Sequence, residues 1–280
     1  MKKKRIILCV VITIMVTWMA GCGKEAIVES EMETTTQAVT ETVMETEMIT
    51  QEVVETTAET EITTDVVVEE TTEEFRPEPS FAAQLKAAED LEQLIIVEAH
   101  SRDGIEATVT MHEKQDGLWT EILHVDGYLG YGGIDKKKEG DGKTPTGLYG
   151  LSVAFGKKED PGSLIPYTQI DEKYWWVGDY NSKYFNQLCH QDMKGRDWKL
   201  DPAESEHLWD YKGYNYCLFI EYNTEGEYKK GSCIFLHCIG QKLETLGCIA
   251  VAEEDMIFIL QHLREGAKIL IDTAENLTAY

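Results

Sequence analysis

The chain has few positively charged residues. Its 280 residues include 26 lysines and arginines against 51 aspartates and glutamates, which gives a formal net charge of -25. Proteins that bind nucleic acids neutralise phosphates with lysine and arginine, and a surface this acidic repels a phosphate backbone. The composition therefore argues against a nucleic-acid partner, and solubility accounts for most of the charge.

The N-terminus lacks an apolar run long enough to cross a membrane. Residues 6–18 are apolar and follow a basic stretch, but a spanning helix needs about 20 apolar residues. The pattern is typical of a secretory signal. Residues 19–22, Met-Ala-Gly-Cys, resemble the lipobox of bacterial lipoproteins. The resemblance implies a lipoprotein signal peptide over residues 1–21, a lipid on Cys22, and anchoring to the outer face of the cell membrane. An uncleaved signal anchor is the alternative, and it would also leave the rest of the chain outside the cell.

The following segment lacks tryptophan and tyrosine. Residues 22–80 are rich in threonine, glutamate, valine and methionine. Such a segment buries too little apolar surface to offset the entropy lost on ordering. We expect an acidic, disordered tether with a span of roughly 40 Å, which would let a domain reach into the cell wall. A low-complexity tail without a function is the alternative.

The cysteines lack the paired spacing of a structural zinc site. A zinc site built from His237, Cys238 and Cys248 is therefore disfavoured. Five cysteines follow residue 80, and an odd number leaves at least one thiol without an intramolecular partner. The sequence does not decide which of the others pair.

The remaining residues, 81–280, have the pattern of one folded, mainly β domain with a few helices. Alternation predicts a hairpin of strands 107–111 and 119–125 around a turn at 115–117. Helices are predicted at 82–94 and 253–265. Apolar runs predict further strands at 94–97, 174–177, 216–222, 232–238 and 268–271. Because strands outnumber helices and do not alternate with them, a β-sandwich or a β-rich α+β fold is favoured.

One histidine and one cysteine have the arrangement that thiol chemistry needs. His237 ends an apolar strand, and Cys248 directly follows Gly247. A thiol attacks as thiolate, and a nearby imidazole can remove its proton. A glycine before the nucleophile permits a tight turn in which backbone N–H groups can bind an oxyanion. The pattern suits acyl transfer through a thioester, although two unrelated core residues would share it.

Residues 237–251 resemble the catalytic segment of the YkuD-type L,D-transpeptidases. The signature of that family is a histidine on a strand, then serine or threonine, any residue, glycine, cysteine and an apolar residue. Its positions here are His237, Thr245, Leu246, Gly247, Cys248 and Ile249. Residues 140–149 and 176–186 are similar to two other segments of the family, in the same order. Many members carry a histidine at the position of Leu246 and an arginine at that of Ala250.

The resemblance implies a role for each matching residue. Cys248 would be the nucleophile and His237 its base, the backbone N–H groups of Gly247 and Cys248 would hold the oxyanion, and Thr245 would help to shape the loop. No metal or organic cofactor would be needed. The implied substrates are peptidoglycan stem peptides, joined by 3–3 type cross-links. An L,D-carboxypeptidase and a non-catalytic cell-wall binding module are the alternatives. The segment around residues 143–145 is interpreted as scaffold, with Thr144 or Tyr149 near the cleft as the alternative.

Overall fold

The computed structural model of the protein describes residues 80–280. The expected signal peptide, the lipidation site Cys22 and the tether up to residue 79 lie outside the described residues. Within the described part, no helix is long and apolar enough to cross a membrane.

The prediction of a mainly β fold is confirmed, and the main sheet closes on itself. The strands are β1 Gln93–Ala99, β2 Glu106–Gln115, β3 Leu118–Tyr128, β4 Gly147–Gly156, β5 Tyr167–Gln169, β6 Tyr174–Trp176, β7 Leu188–His190, β8 Glu206–His207, β9 Cys217–Ile220, β10 Phe235–Cys238, β11 Ile249–Val251 and β12 Lys268–Thr273. Nine of them form one sheet in the order β12-β1-β2-β3-β11-β10-β9-β4-β5, and β12 also pairs with β4. That last pairing makes the sheet barrel-like.

The hairpin of β2 and β3 is confirmed and is longer than predicted. Its turn consists of Asp116 and Gly117, with φ of 50° and 81°. Two residues with positive φ give the turn that matches the twist of antiparallel strands, which explains the Asp-Gly pair. The two strands then pair over their whole length, with a register shift between Met111 and His112.

The helix predicted at 82–94 is wrong. Residues Phe81–Gln84 and Lys86–Ala88 form two short 3-10 turns, and β1 begins at Gln93. Leu94 pairs with Lys268 of β12 and with His112 of β2, so strand pairing on both edges overrides the helical spacing of the leucines. Leu85 and Leu91 still become buried, because the turns pack on the face of β1 and β12 that carries Leu94, Ile96 and Leu270.

The second predicted helix is confirmed, although it is shorter. Helix α1, Glu253–His262, ends three residues before the predicted boundary, and a short α2, Ala274–Leu277, follows β12. The buried side of α1 packs on the face of β10 and β11 that carries Leu236, Ile249 and Val251. This helix therefore leaves the opposite face of β10 and β11 uncovered.

A smaller sheet lies beside that opposite face. It has the order β7-β6-β8, and Trp176 of β6 packs edge-on against Phe235 of β10 with ring centroids 4.8 Å apart. Phe155 and Tyr214 complete the aromatic cluster. This packing brings β8 and the chain after it to the edge of the functional site.

Candidate active site

Cys248 and His237 lie on the same face of two adjacent strands. β10 and β11 are parallel, with His237 opposite Ala250, and Cys248 precedes β11 directly. Side chains two residues apart along a strand share a face, so Cys248 points to the same side as Ala250 and therefore as His237. Both side chains line one cavity of about 710 Å³.

The imidazole of His237 is held by a backbone carbonyl. Its Nδ1 lies 2.7 Å from the oxygen of Cys238, and since a carbonyl only accepts, Nδ1 carries the proton. The neutral ring then has its lone pair on Nε2. Tyr214 packs edge-on against the ring at 5.2 Å between centroids. Burial lowers the pKa of His237 to about 4, although the hydrogen bond to Cys238 acts in the other direction.

The thiol of Cys248 is protonated at rest. It donates to the carbonyl oxygen of Cys233 at 3.3 Å and accepts from the Phe235 N–H at 3.4 Å. Burial raises its pKa to about 12, and the charge of Glu206 raises it further, whereas the Phe235 N–H, Lys136 and Tyr214 act to lower it. The resting pair is therefore a neutral thiol beside a neutral imidazole.

Two threonine hydroxyls hold the carbonyl of Cys248. Thr245 donates to it at 2.7 Å, and Thr144 donates at 3.2 Å from the other side. Thr144 also accepts from the Gly130 N–H at 2.9 Å. The segment that the sequence suggested as scaffold thus fixes the position of the cysteine loop directly, through Thr144.

Gly247 has a backbone conformation that only glycine adopts readily. Its φ is +144°, and a Cβ there would lie 2.9 Å from the carbonyl oxygen of Lys143. Its N–H donates to the Thr245 hydroxyl at 3.0 Å, so this candidate oxyanion donor is already in use. Among residues 80–280, no loop carbonyl accepts from the Cys248 N–H, which leaves that group as the free donor beside the thiol.

The sequence did not single out three residues that surround this pair. Glu206 of β8 and Tyr214 line the cavity with Cys248, and the Tyr214 hydroxyl donates to Glu206 Oε2 at 3.0 Å. Gly213 lies against the imidazole, since a Cβ there would be 2.5 Å from the Cys238 oxygen and 3.0 Å from His237 Nδ1. No periodicity marks them, because β8 has only two residues and Gly213 and Tyr214 lie in a loop.

The other thiols are buried and separate. Cys189, Cys217, Cys233 and Cys238 are free, as is Cys248, and no disulfide forms within the described residues. The same part of the chain contains no group of three histidine, cysteine or acidic residues that could hold a metal ion.

Comparison of the sequence with known families identifies a match. The YkuD family, described as the L,D-transpeptidase catalytic domain, matches residues 113–271, which is more than half of the chain and includes His237 and Cys248. The chain belongs to this family. The resemblance seen in the sequence is thereby confirmed, and YkuD proteins are enzymes of the cysteine-based L,D-transpeptidase and peptidase type.

Solved structures give more distant likenesses to this YkuD chain. Bd1075 of Bdellovibrio bacteriovorus is 15% identical with a TM-score of 0.36, over 67% of this chain and 52% of that one. The helical cell shape determining protein Pgp2 of Campylobacter jejuni is 16% identical with a TM-score of 0.36, over 65% and 47%. The chain spans about half the length of these structures. No curated protein matches it.

The two departures from the usual YkuD pattern lie in different surroundings. Leu246 is 70% exposed at the cavity, whereas Ala250 is buried between His237 of β10 and Tyr128 of β3. Ala250 lies on the face of the sheet that also carries His237, so the departure at this position is on the side of the cavity.

Proposed function

We propose that the protein is a peptidoglycan L,D-transpeptidase that forms 3–3 type cross-links through a thioester on Cys248. The observation that carries this proposal is the shared face of β10 and β11, on which a thiol and a carbonyl-anchored imidazole line one cavity. The family supports the reaction type. The peptidoglycan substrate and the transfer step are inferred.

In the first half-reaction His237 acts as a general base. The thiol leaves its hydrogen bond with the Cys233 carbonyl and gives its proton to Nε2 as Sγ attacks the carbonyl carbon of the third stem residue. A pKa of about 12 for Cys248 and about 4 for His237 favours proton transfer during attack over a preformed ion pair. The imidazolium then protonates the departing amine of D-alanine.

The oxyanion of the tetrahedral intermediate needs a donor close to Sγ. We assign this role to the Cys248 N–H, because the Gly247 N–H is committed to Thr245. Thr144 and Thr245 hold the adjoining carbonyl, and so they fix the direction of that N–H. In the second half-reaction, an amine of a neighbouring stem replaces the cysteine on the acyl group.

Intact-mass spectrometry tests the first step. The full chain, purified in detergent, is incubated with tetrapeptides ending in D-alanine, with lysine or diaminopimelate as third residue in parallel. We expect D-alanine release and a tripeptidyl adduct that Cys248→Ala abolishes. Cys233→Ala is the matched control, since it removes a second thiol from the same cavity and is expected to keep the adduct. Binding of a tetrapeptide without adduct or release would contradict the enzymatic proposal.

The same assay with an added amine acceptor separates transfer from hydrolysis. A cross-linked product identifies a transpeptidase, whereas tripeptide alone identifies an L,D-carboxypeptidase. We further propose that a lipid on Cys22 anchors the chain to the outer face of the membrane, with residues 22–80 as the tether. Metabolic labelling with a fatty acid tests the anchor, and labelling that persists in Cys22→Ser would contradict it.

A further inference from the structure

Glu206 is a carboxylate in the wall of the active-site cavity that the first half-reaction does not use. It lies in β8 opposite Trp176 of β6, and it lines the same cavity as Cys248 and His237. Its Oε2 accepts from the Tyr214 hydroxyl at 3.0 Å. Its other oxygen, Oε1, accepts no hydrogen bond from any residue of the described chain.

No cation neutralises this carboxylate within residues 80–280. The charged side chain that affects it most is Glu139, which is also negative. Lys136 lines the cavity too, but its ammonium donates to Asp141 at 3.0 Å and to the Lys138 carbonyl at 3.2 Å. Glu206 is half-buried, and a carboxylate that is partly withdrawn from water without a cation partner is costly, so this site favours a ligand that brings a positive charge.

The position of Glu206 near the thiol indicates which cationic ligand binds there. The Tyr214 hydroxyl bonds to Glu206 and lies close enough to Cys248 to lower the pKa of the thiol, so one side chain connects the two groups. A cation bound at Glu206 is therefore close to an acyl group carried by Sγ. Of the two nucleophiles that can release that acyl group, water is neutral, whereas a primary amine reaches the site as an ammonium ion.

We propose that Glu206 is a catalytic residue of the second half-reaction, which binds the ammonium group of the incoming stem peptide and takes up its proton. The proposal rests on the function proposed above and extends it, because it identifies the group that lets an amine compete with water.

In this half-reaction each proton that leaves the amine has an acceptor in the site. Glu206 takes one proton from the ammonium, and the free amine attacks the thioester carbon. His237 takes a second proton from the new C–N centre and gives it to Sγ as the C–S bond breaks. The products are an amide, a neutral thiol and a protonated Glu206, which returns its proton to water. Burial raises the pKa of Glu206 to about 7, against the hydrogen bond from Tyr214, and a base with a pKa near the working pH suits this task.

The test measures how the acyl-enzyme divides between transfer to an amine and hydrolysis, in Glu206→Gln and in the unchanged chain. Glutamine keeps an oxygen for the Tyr214 hydroxyl, so folding is expected to persist, and a thermal melt verifies it. The donor is the tetrapeptide that forms the adduct, and the acceptor is Nα-acetyl-lysine amide. For both acceptors the measured quantity is the ratio of transfer to hydrolysis within one variant, because loss of the Glu206 charge also lowers the pKa of Cys248 and so changes the acylation rate. We expect this ratio to fall about tenfold or more for the lysine amine.

Hydroxylamine provides the second acceptor, because it is uncharged at neutral pH and needs no base before it attacks. Its transfer is expected to stay within about twofold in Glu206→Gln. Glu244→Gln is the matched control variant. It removes a carboxylate from the rim of the same cavity, but this carboxylate already pairs with Lys242 at 3.1 Å. We expect both acceptors to react with this variant as they do with the unchanged chain.

The outcomes separate the two proposals. An adduct with unchanged transfer to lysine amide in Glu206→Gln would overturn the role of Glu206 alone. Equal losses with lysine amide and hydroxylamine would also overturn it, because they would indicate that Glu206 acts by positioning Tyr214 and Cys248. Absence of any adduct on the unchanged chain would instead remove the transpeptidase proposal, and the role of Glu206 with it.

Discussion

At the scale of single residues, burial acts on Glu206 and His237 in opposite directions. The pKa of Glu206 rises from 4.5 to about 7, so the folded chain holds a proton that the unfolded chain has lost. The pKa of His237 falls from 6.5 to about 4, so the folded chain lacks a proton that the unfolded chain holds. Over nearly the same pH range, the two groups therefore have opposite effects on stability.

The opposite effects of Glu206 and His237 on stability predict how Glu206→Gln changes the pH dependence of unfolding. Glu206 costs stability as pH rises from about 4.5 to about 7, and His237 costs stability as pH falls from about 6.5 to about 4. In the unchanged chain the two largely cancel. The variant keeps only the histidine effect, so acidification from pH 7 to pH 4.5 should destabilise it by up to about 3 kcal/mol relative to the unchanged chain.

Urea unfolding at several pH values measures this difference. His237→Gln is the complementary control, because it keeps only the carboxylate and should shift the difference the other way. If the free energy of unfolding changed with pH in the same way for the unchanged chain and Glu206→Gln, the Glu206 carboxyl would have an ordinary pKa in the folded state.

At the scale of elements, the loop before β9 packs directly against His237, the proposed base. Gly213→Ala would bring a Cβ to 2.5 Å from the Cys238 oxygen and 3.0 Å from His237 Nδ1, so the hydrogen bond between them must shift. We expect the rate of adduct formation on Cys248 to fall about tenfold or more, because a small displacement of a catalytic group is costly. Time-resolved intact-mass spectrometry measures that rate.

The neighbouring glycine provides a matched control for this substitution. A Cβ at Gly240 would meet Gly213 at 3.4 Å, which is ordinary contact, so Gly240→Ala is expected to keep the rate within about twofold. A Gly213→Ala variant with an unchanged rate would show that the anchored ring tolerates displacement.

Local sequence patterns correctly predicted the elements that a single strong signal marks, such as a turn pair or an acidic helix start. The Asp116-Gly117 turn and the acidic start of α1 each fixed an element correctly. β4 was missed because its glycines look like loop residues. Gly150 lets the carboxylate of Glu221, which directly follows β9, lie close to its Cα. Such contacts depend on distant parts of the sequence, and so no local window contains them.

The same limit applies to the site. Cys248, Gly247, Thr245 and His237 were found because they lie within 12 residues of one another around a recognisable motif. Their catalytic roles remain a prediction. Glu206 reaches the cavity through the pairing of β8 with β6 and the packing of Trp176 on Phe235. This placement depends on the tertiary fold, and no residue spacing in the sequence indicates it.

At the scale of the whole molecule, β12 is the strand that closes the main sheet. Leu270 pairs with Ile96 of β1 on one edge and with Leu148 of β4 on the other. Because both edges are occupied, a proline at this position loses a ladder hydrogen bond whichever way its nitrogen faces. We expect Leu270→Pro to abolish cooperative unfolding of residues 80–280, including β10 and β11.

Leu270→Ala is the control for the lost side chain, since it keeps the N–H and is expected to fold with a loss of about 2–5 kcal/mol. Tryptophan fluorescence during urea unfolding distinguishes the variants. A cooperative transition in Leu270→Pro with an accessible midpoint would show that the sheet tolerates an open edge.

The closing strand also joins parts of the chain that lie far apart in the sequence. Residues 268–273 pair with β1 on one edge and with β4 on the other. Loop-closure entropy is lost before such distant pairings stabilise the chain, so closure of the main sheet is expected to be a slow step of folding.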